Sequence, residues 1–241
     1  MPTSSWASVD LAKVLGKKFE RQWHNLSAER RQAWARLSLT AVLAVVLALY
    51  ASIALLRATS RGANNYSWEV DTLRAIESAP IGFSSAVWLQ TFGSDFMLGF
   101  VVLTGAALAI WNNRPLLAVS IVMSLIVMDA IVRIGWFSFE RHRPAVIAQG
   151  LASPGFHSFP SGHTSKTIAV YGLLAAQWFR ASRNGLEKLV IVVLATGIAL
   201  VVPYGRVRMG VHWPTDVMGG YLLGAVWLAF MVAAVRHDEA S

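Results

Sequence analysis

The chain has 241 residues, 55% of them hydrophobic and only 14% charged, with a formal net charge of +8 and no cysteine. A soluble domain carries about 25% charged residues, so this deficit, with a positive mean hydropathy, marks a membrane protein. There is no disulfide framework, thiol nucleophile or thiolate metal site, and no zinc-finger spacing or aromatic RNA-binding signature that would make nucleic acid the partner of the positive charge.

Residues 1–36 read as a basic cytoplasmic segment. No signal peptide precedes the first apolar run, which is expected to act as an uncleaved anchor. Within it, 6–34 mixes apolar and basic residues and reads either as an amphipathic helix on the inner membrane surface or as a solvated tail. A spanning helix needs about 20 mostly apolar residues. Six stretches read as spans: 37–56, 95–111, 115–135, 163–179, 189–204 and 216–235. The predicted fold is therefore all-α, a polytopic bundle of about six transmembrane helices in one membrane domain over 37–235, with 236–241 as a cytoplasmic tail. The stretch 57–92 is too polar to span, and Trp68, Trp88 and Phe92 suit anchoring at the outer interface. Gly197, Gly219, Gly220 and Gly224 suit close helix packing in lipid.

More than half of the 21 basic residues fall before the first span or in loops on the same side as it. By the positive-inside bias both termini are cytoplasmic. The polar motifs then lie on the outer face, at the edges of apolar segments where ionisable groups are costly unless they serve a site.

Three such motifs occur. The first is Arg141-His142-Arg143-Pro144. The second, Pro160-Ser161-Gly162-His163, places a tight turn before an apolar helix. Amides at a helix start bind phosphate, helped by the macrodipole, and a histidine there exchanges a proton near neutral pH. The bland reading is a helix cap with an interfacial histidine. The third runs from Arg206 through His212 to Asp216, an R-x5-H-x3-D pattern. Arginine offers planar, forked donors to phosphate oxygens. A carboxylate beside an imidazole fixes its tautomer and makes the opposite nitrogen a nucleophile. His212 and Asp216 share a face in a helical turn, although Pro214 between them also allows a loop entering a helix; the competing reading is an ion cluster capping the last span.

Over roughly residues 98–235 the chain resembles the type 2 phosphatidic acid phosphatase family, membrane lipid phosphatases that share a site with vanadium haloperoxidases. The resemblance rests on Arg143-Pro144, on Ser158-Phe-Pro-Ser-Gly-His163, and on Arg206 through Asp216 with the trailing Val-Met-Gly-Gly. It implies that His212 attacks phosphorus to form a phosphohistidine, that Asp216 orients it, and that His163 protonates the leaving oxygen and then activates water. Arg143, Arg206 and the Ser161/Gly162 turn would bind the phosphoryl oxygens. It implies no metal and no other cofactor, and a lipid phosphate within the bilayer as the partner. The compact chain favours a bacterial plasma membrane and a polyprenyl pyrophosphate such as undecaprenyl pyrophosphate. Phosphatidic acid, phosphatidylglycerol phosphate and lipid A 1-phosphate stay open, as do a lipid phosphotransferase and a non-catalytic lipid-binding or transport protein.

Two positions depart from the family pattern. Its first motif opens with lysine seven residues before the arginine, where this chain has Trp136. Arg133 or Lys166 are the candidates to supply that charge; against them stand an Arg133 pair with Asp129 and a Lys166 that snorkels to the interface. The second departure is Gly205, where serine often precedes the arginine and whose loss is expected to remove one hydroxyl donor. Glu140 and Arg208 are expected near the site entrance, and His142 and His157 read as polar-loop residues.

Overall fold

The structure is a computed structural model, and it describes residues 11–60, 66–147 and 157–236. The first ten residues of the basic segment and most of the predicted tail lie outside them. Every regular element among the described residues is helical: α1 (Leu11–Asn25), α2 (Ala28–Thr59), α3 (Ser67–Glu77), α4 (Phe83–Gln90), a 3-10 turn (Thr91–Gly93), α5 (Asp95–Trp111), α6 (Pro115–Phe139), α7 (Gly162–Ala181), α8 (Gly185–Arg208) and α9 (Pro214–Arg236).

Each predicted span falls on one long helix. Among the described residues five stretches are long and apolar enough to cross a membrane: Ala28–Thr59, Phe83–Trp111, Pro115–Phe139, Gly185–Arg208 and Pro214–Arg236. The helix missing from that set is α7, and its position explains why. It packs against α6, α8 and α9, so its polar residues Thr164, Ser165, Lys166, Thr167 and Gln177 are buried in protein instead of facing lipid. Leu39, Leu43 and Leu47 of α2 and Phe96, Phe100 and Leu103 of α5 are exposed on the outside of the bundle, where an apolar solvent suits them.

Glycine sets how closely α7 and α9 approach. A Cβ on Gly220 would stand 2.8 Å from the Ser161 carbonyl and from Thr164, and one on Gly224 would stand 2.8 Å from the Ser165 carbonyl. Gly219 receives the ring of Phe159 in the same way. Gly197 does not share this role: a Cβ there meets nothing within 4 Å, so it does not mediate a helix contact.

The stretch between the first two long helices carries more structure than an interfacial anchor. Trp68, Trp88 and Phe92 are exposed there, but the stretch also forms α3 and α4. α4 runs through the 3-10 turn into α5 and packs along α8. Both helices lie at the end of the bundle where α6 stops and α7 and α9 begin. At the opposite end α1 lies across the α5–α6 connection: Lys18 donates to the Trp111 carbonyl at 2.7 Å and Gln22 to the Ile110 carbonyl at 2.8 Å.

Candidate active site

The antiparallel course of α6, α7, α8 and α9 gathers the three motifs at one end of the bundle. Glu140 ends α6 in the left-handed conformation (φ 47°), turning the chain so that Arg141 enters the protein while Glu140 and His142 stay exposed. α7 starts at Gly162, directly after the Pro160-Ser161 turn. α8 ends at Arg208 and α9 begins at Pro214. His212 therefore sits in the turn ahead of α9, with Asp216 in that helix's first turn: the loop entering a helix, of the two arrangements the proline allowed.

His212 and Asp216 are both buried, and His212 Nδ1 lies 3.5 Å from Asp216 Oδ2. That is close enough to orient the ring and longer than a full hydrogen bond. The carboxylate itself is firmly held. Its Oδ2 accepts from the Ser158 hydroxyl and from the Trp213 amide at 2.7 Å, and its Oδ1 accepts from Arg141 at 2.6 Å. Burial holds the His212 imidazole down to about 4, against the pull of Asp216, and Arg206 and Arg143 push it the same way. At neutral pH the ring is uncharged and carries a free lone pair, the state a nucleophile needs.

On the other side lie cations. Arg143, Lys166 and Arg206 are all close enough to act electrostatically on half-buried His163 at the start of α7. Arg206 donates to Gln90 of α4 at 3.0 Å, but its Nε is buried without a partner, as is that of Arg143. Burial depresses the Arg143 guanidinium from its ordinary value, with Asp216 opposing it. Two arginines with orphaned buried donors beside two histidines describe a socket for an anion.

The turn ahead of α7 is partly committed. The Ser161 amide donates to the Asp216 carbonyl at 2.9 Å, and its hydroxyl accepts from Thr164 at 3.0 Å. Trp136, in place of the family lysine, donates its indole N–H to the Pro160 carbonyl at 3.1 Å and stacks on His157. The tryptophan thus braces the turn mechanically where a lysine would add charge. Arg133 is bound to Asp129 at 2.6 Å, with most of its side chain exposed. Lys166 does not snorkel: it is buried and ion-paired with Asp129 at 3.0 Å and with Asp95.

Gly205 has a different meaning from a lost hydroxyl. A Cβ there would stand 2.7 Å from the Ala86 carbonyl and 3.1 Å from Gln90, so glycine is what lets α4 lie against α8 and brings Gln90 to Arg206. Arg208 is buried and donates to the Ile81 carbonyl at 3.1 Å, holding the α3–α4 connection. Glu69 was hidden from sequence reasoning: it is fully buried and bonded to Arg141 and Thr215 beside Asp216. A buried glutamate in a stretch read as interfacial gives no local signal beyond its place three residues after Tyr66, whose amide it caps. Among the described residues no group of three His, Asp or Glu could hold a metal ion.

Residues 115–239 match the PAP2 superfamily. The chain belongs to this family of membrane phosphatases. It is 26% identical to an undecaprenyl-diphosphatase of Sulfolobus acidocaldarius over 184 residues, covering 73% of this chain and 82% of the relative. It is 31% identical to phosphatidylglycerophosphatase B of Bacillus subtilis over 144 residues, 58% of this chain and 67% of the relative. Its fold is similar to the crystal structure of a transmembrane PAP2-type phosphatidylglycerolphosphate phosphatase from Bacillus subtilis, with a TM-score of 0.50, 21% identity and 92% of both chains covered. It is also similar to Aquifex aeolicus LpxE, with a TM-score of 0.54 and 19% identity over 71% of this chain and 97% of that one.

Proposed function

We propose that this PAP2 protein hydrolyses a polyprenyl pyrophosphate, of which undecaprenyl pyrophosphate is the type, at the outer leaflet of a bacterial plasma membrane with both termini in the cytoplasm. The observation that carries the chemistry is an uncharged, buried His212 backed by Asp216 and facing two arginines with unpartnered donors. His212 attacks the terminal phosphorus through Nε2, and a P–N bond forms as the P–O bond to the leaving lipid phosphate breaks. The electron pair passes to the leaving oxygen, which takes a proton from His163. Arg143 and Arg206 hold the equatorial oxygens as charge spreads over them, an electrostatic contribution that is commonly the largest in such sites. The negative charge of the bound phosphate offsets the cations around His163, and this step requires that ring to hold its proton. In the second half His163 takes a proton from water, the hydroxide oxygen attacks phosphorus, and His212 leaves with inorganic phosphate as the product.

A pyrophosphate is favoured because the relative from Sulfolobus acidocaldarius, of which this chain covers 82%, is named undecaprenyl-diphosphatase. An apolar groove of about 430 Å³ between α2 and α9, lined by Leu55, Leu56, Phe159, Met218 and Leu222 and reaching Thr215, suits a long isoprenoid tail. The second reading is phosphatidylglycerol phosphate, favoured by the relative at 31% identity. The test is phosphate release by the detergent-purified protein from undecaprenyl pyrophosphate, phosphatidylglycerol phosphate, phosphatidic acid and lipid A 1-phosphate, with His212→Ala as control. A kcat/KM highest for the pyrophosphate is expected. A preference for phosphatidylglycerol phosphate would replace the first reading with the second. Release that persists in the control would remove His212 as nucleophile.

A further inference from the structure

A line of buried charge runs away from the reacting face of His212 toward α3. Asp216 Oδ1 is held by Arg141 Nη1 at 2.6 Å, and the other prong of that guanidinium, Nη2, reaches Glu69 Oε2 at 2.8 Å. All three side chains are fully buried. Thr215 closes the circuit: its hydroxyl accepts from Arg141 at 2.6 Å and donates to Glu69 Oε1 at 2.6 Å, while its amide donates to the same oxygen at 3.1 Å. Glu69 Oε2 also accepts the Tyr66 amide at 3.0 Å, so each oxygen of this carboxylate accepts two hydrogen bonds. Arg141 lies over the Trp213 ring, 5.4 Å from its centroid.

We infer that Glu69 and Arg141 are positioning residues for the reaction, holding the Asp216 carboxylate in place and keeping its negative charge available to His212. This rests on the histidine-nucleophile reading of the site. An arginine paired with Asp216 alone would neutralise the carboxylate on which His212 depends. Glu69 shares that positive charge, so Asp216 is clamped by Arg141 without being silenced by it. Glu69, Arg141 and Asp216 together keep one net negative charge, matched to the positive charge that grows on the ring as the P–N bond forms. A buried carboxylate is costly to desolvate, and a clamp between α3 and α9 could be built from apolar residues, so the charge itself calls for a role.

The groups facing His212 are Asp216 and, through it, Arg141 and Glu69 on one side, with Arg143, Arg206 of α8 and His163 of α7 on the other. Removing the Glu69 charge adds positive potential behind the ring and makes it less basic. In Glu69→Gln, which keeps the shape and can still accept from Arg141, kcat is expected to fall about tenfold or more, as for partners that orient a reacting group. KM is expected to stay within about threefold, since nothing on the phosphate side has changed. The acidic limb of kcat/KM should move to lower pH. On an Asp216→Asn background the same substitution should cost almost nothing further, because its effect passes through that carboxylate.

Wild-type kcat and pH profile in Glu69→Gln, with only a lower melting temperature, would make the network purely structural and overturn the inference. So would a full additional loss on the Asp216→Asn background. Should Glu69→Gln fail to fold, Arg141→Lys keeps the charge but lacks the fork; a fall in kcat of about tenfold is expected, and unchanged kcat would overturn the proposal. Wild-type protein and His212→Ala run alongside. If wild type releases phosphate and His212→Ala does not, the underlying reading stands whatever Glu69 does.

Discussion

The two sides of His212 are built on opposite rules. Behind it, Arg141, Ser158 and the Trp213 amide saturate the buried Asp216 with short hydrogen bonds, and Glu69 and Thr215 hold Arg141 in turn. In front, Arg143 and Arg206 keep buried Nε groups without partners around a half-buried His163. A saturated network is rigid and specifies one geometry, whereas unsatisfied donors hold electrostatic potential for a ligand that arrives later. The site therefore separates orientation from binding. Substitutions behind the ring should act on kcat, and those in front on both kcat and KM.

The largest break in that comparison is at the ring between the two sides. His212→Ala should lower kcat by at least about a thousandfold while the protein stays folded, read by phosphate release and thermal melting. Residual turnover near wild type would place the nucleophile elsewhere. The next largest is in front: Arg206→Ala removes one donor to the developing charge and should cost about 10²–10³ in kcat, with KM rising as well. The same substitution carries a sign that can be checked. Burial and the arginines hold His212 down to about 4, and the nucleophile must be neutral. For a pyrophosphate substrate, once its own ionisation is allowed for, the acidic limb of kcat/KM should lie well below 6.5 in wild type. Removing the Arg206 cation should move that limb upward. A wild-type limb at 6.5, or a downward move in Arg206→Ala, would contradict the description of the front side.

Much of this architecture is readable from the chain alone, and the reasons for the rest are specific. Apolar run length locates the long helices, because a bilayer demands it of each helix that faces lipid, and the spacing from Arg206 to Asp216 picks out the turn that carries His212 and Asp216. Two features escape. Glu69 reaches Asp216 only through Arg141, which lies 72 residues from the one and 75 from the other, and such a fold contact has no sequence period.

Gly205 is misread for the same reason. Sequence shows an absent hydroxyl, while the structure shows a space already filled by the Ala86 carbonyl. Gly205→Ser should therefore not improve the site by restoring a family residue. Crowding of this kind costs about 1–3 kcal/mol, so a lower melting temperature and weaker phosphate binding through a displaced Gln90 are expected. Unchanged melting and raised activity would show that α4 yields freely.

The smallest effects sharpen the front side at the missing lysine. Lys166 is buried between Asp129 and Asp95, one turn along α7 from His163, and it acts on that ring electrostatically. Arg133 occupies the other oxygen of Asp129 and is largely exposed, where water screens its charge. Both cations were open as substitutes for the lysine that Trp136 displaces, but they differ in coupling to the site. Lys166→Met leaves Asp129 and Asp95 without their buried partner, next to the ring that must donate a proton. It should lower kcat/KM by about tenfold. Arg133→Ala leaves Asp129 still bound to Lys166 and should stay within about twofold of wild type. The reverse ranking would make Arg133 the working cation, with Asp129 as the residue that aims it.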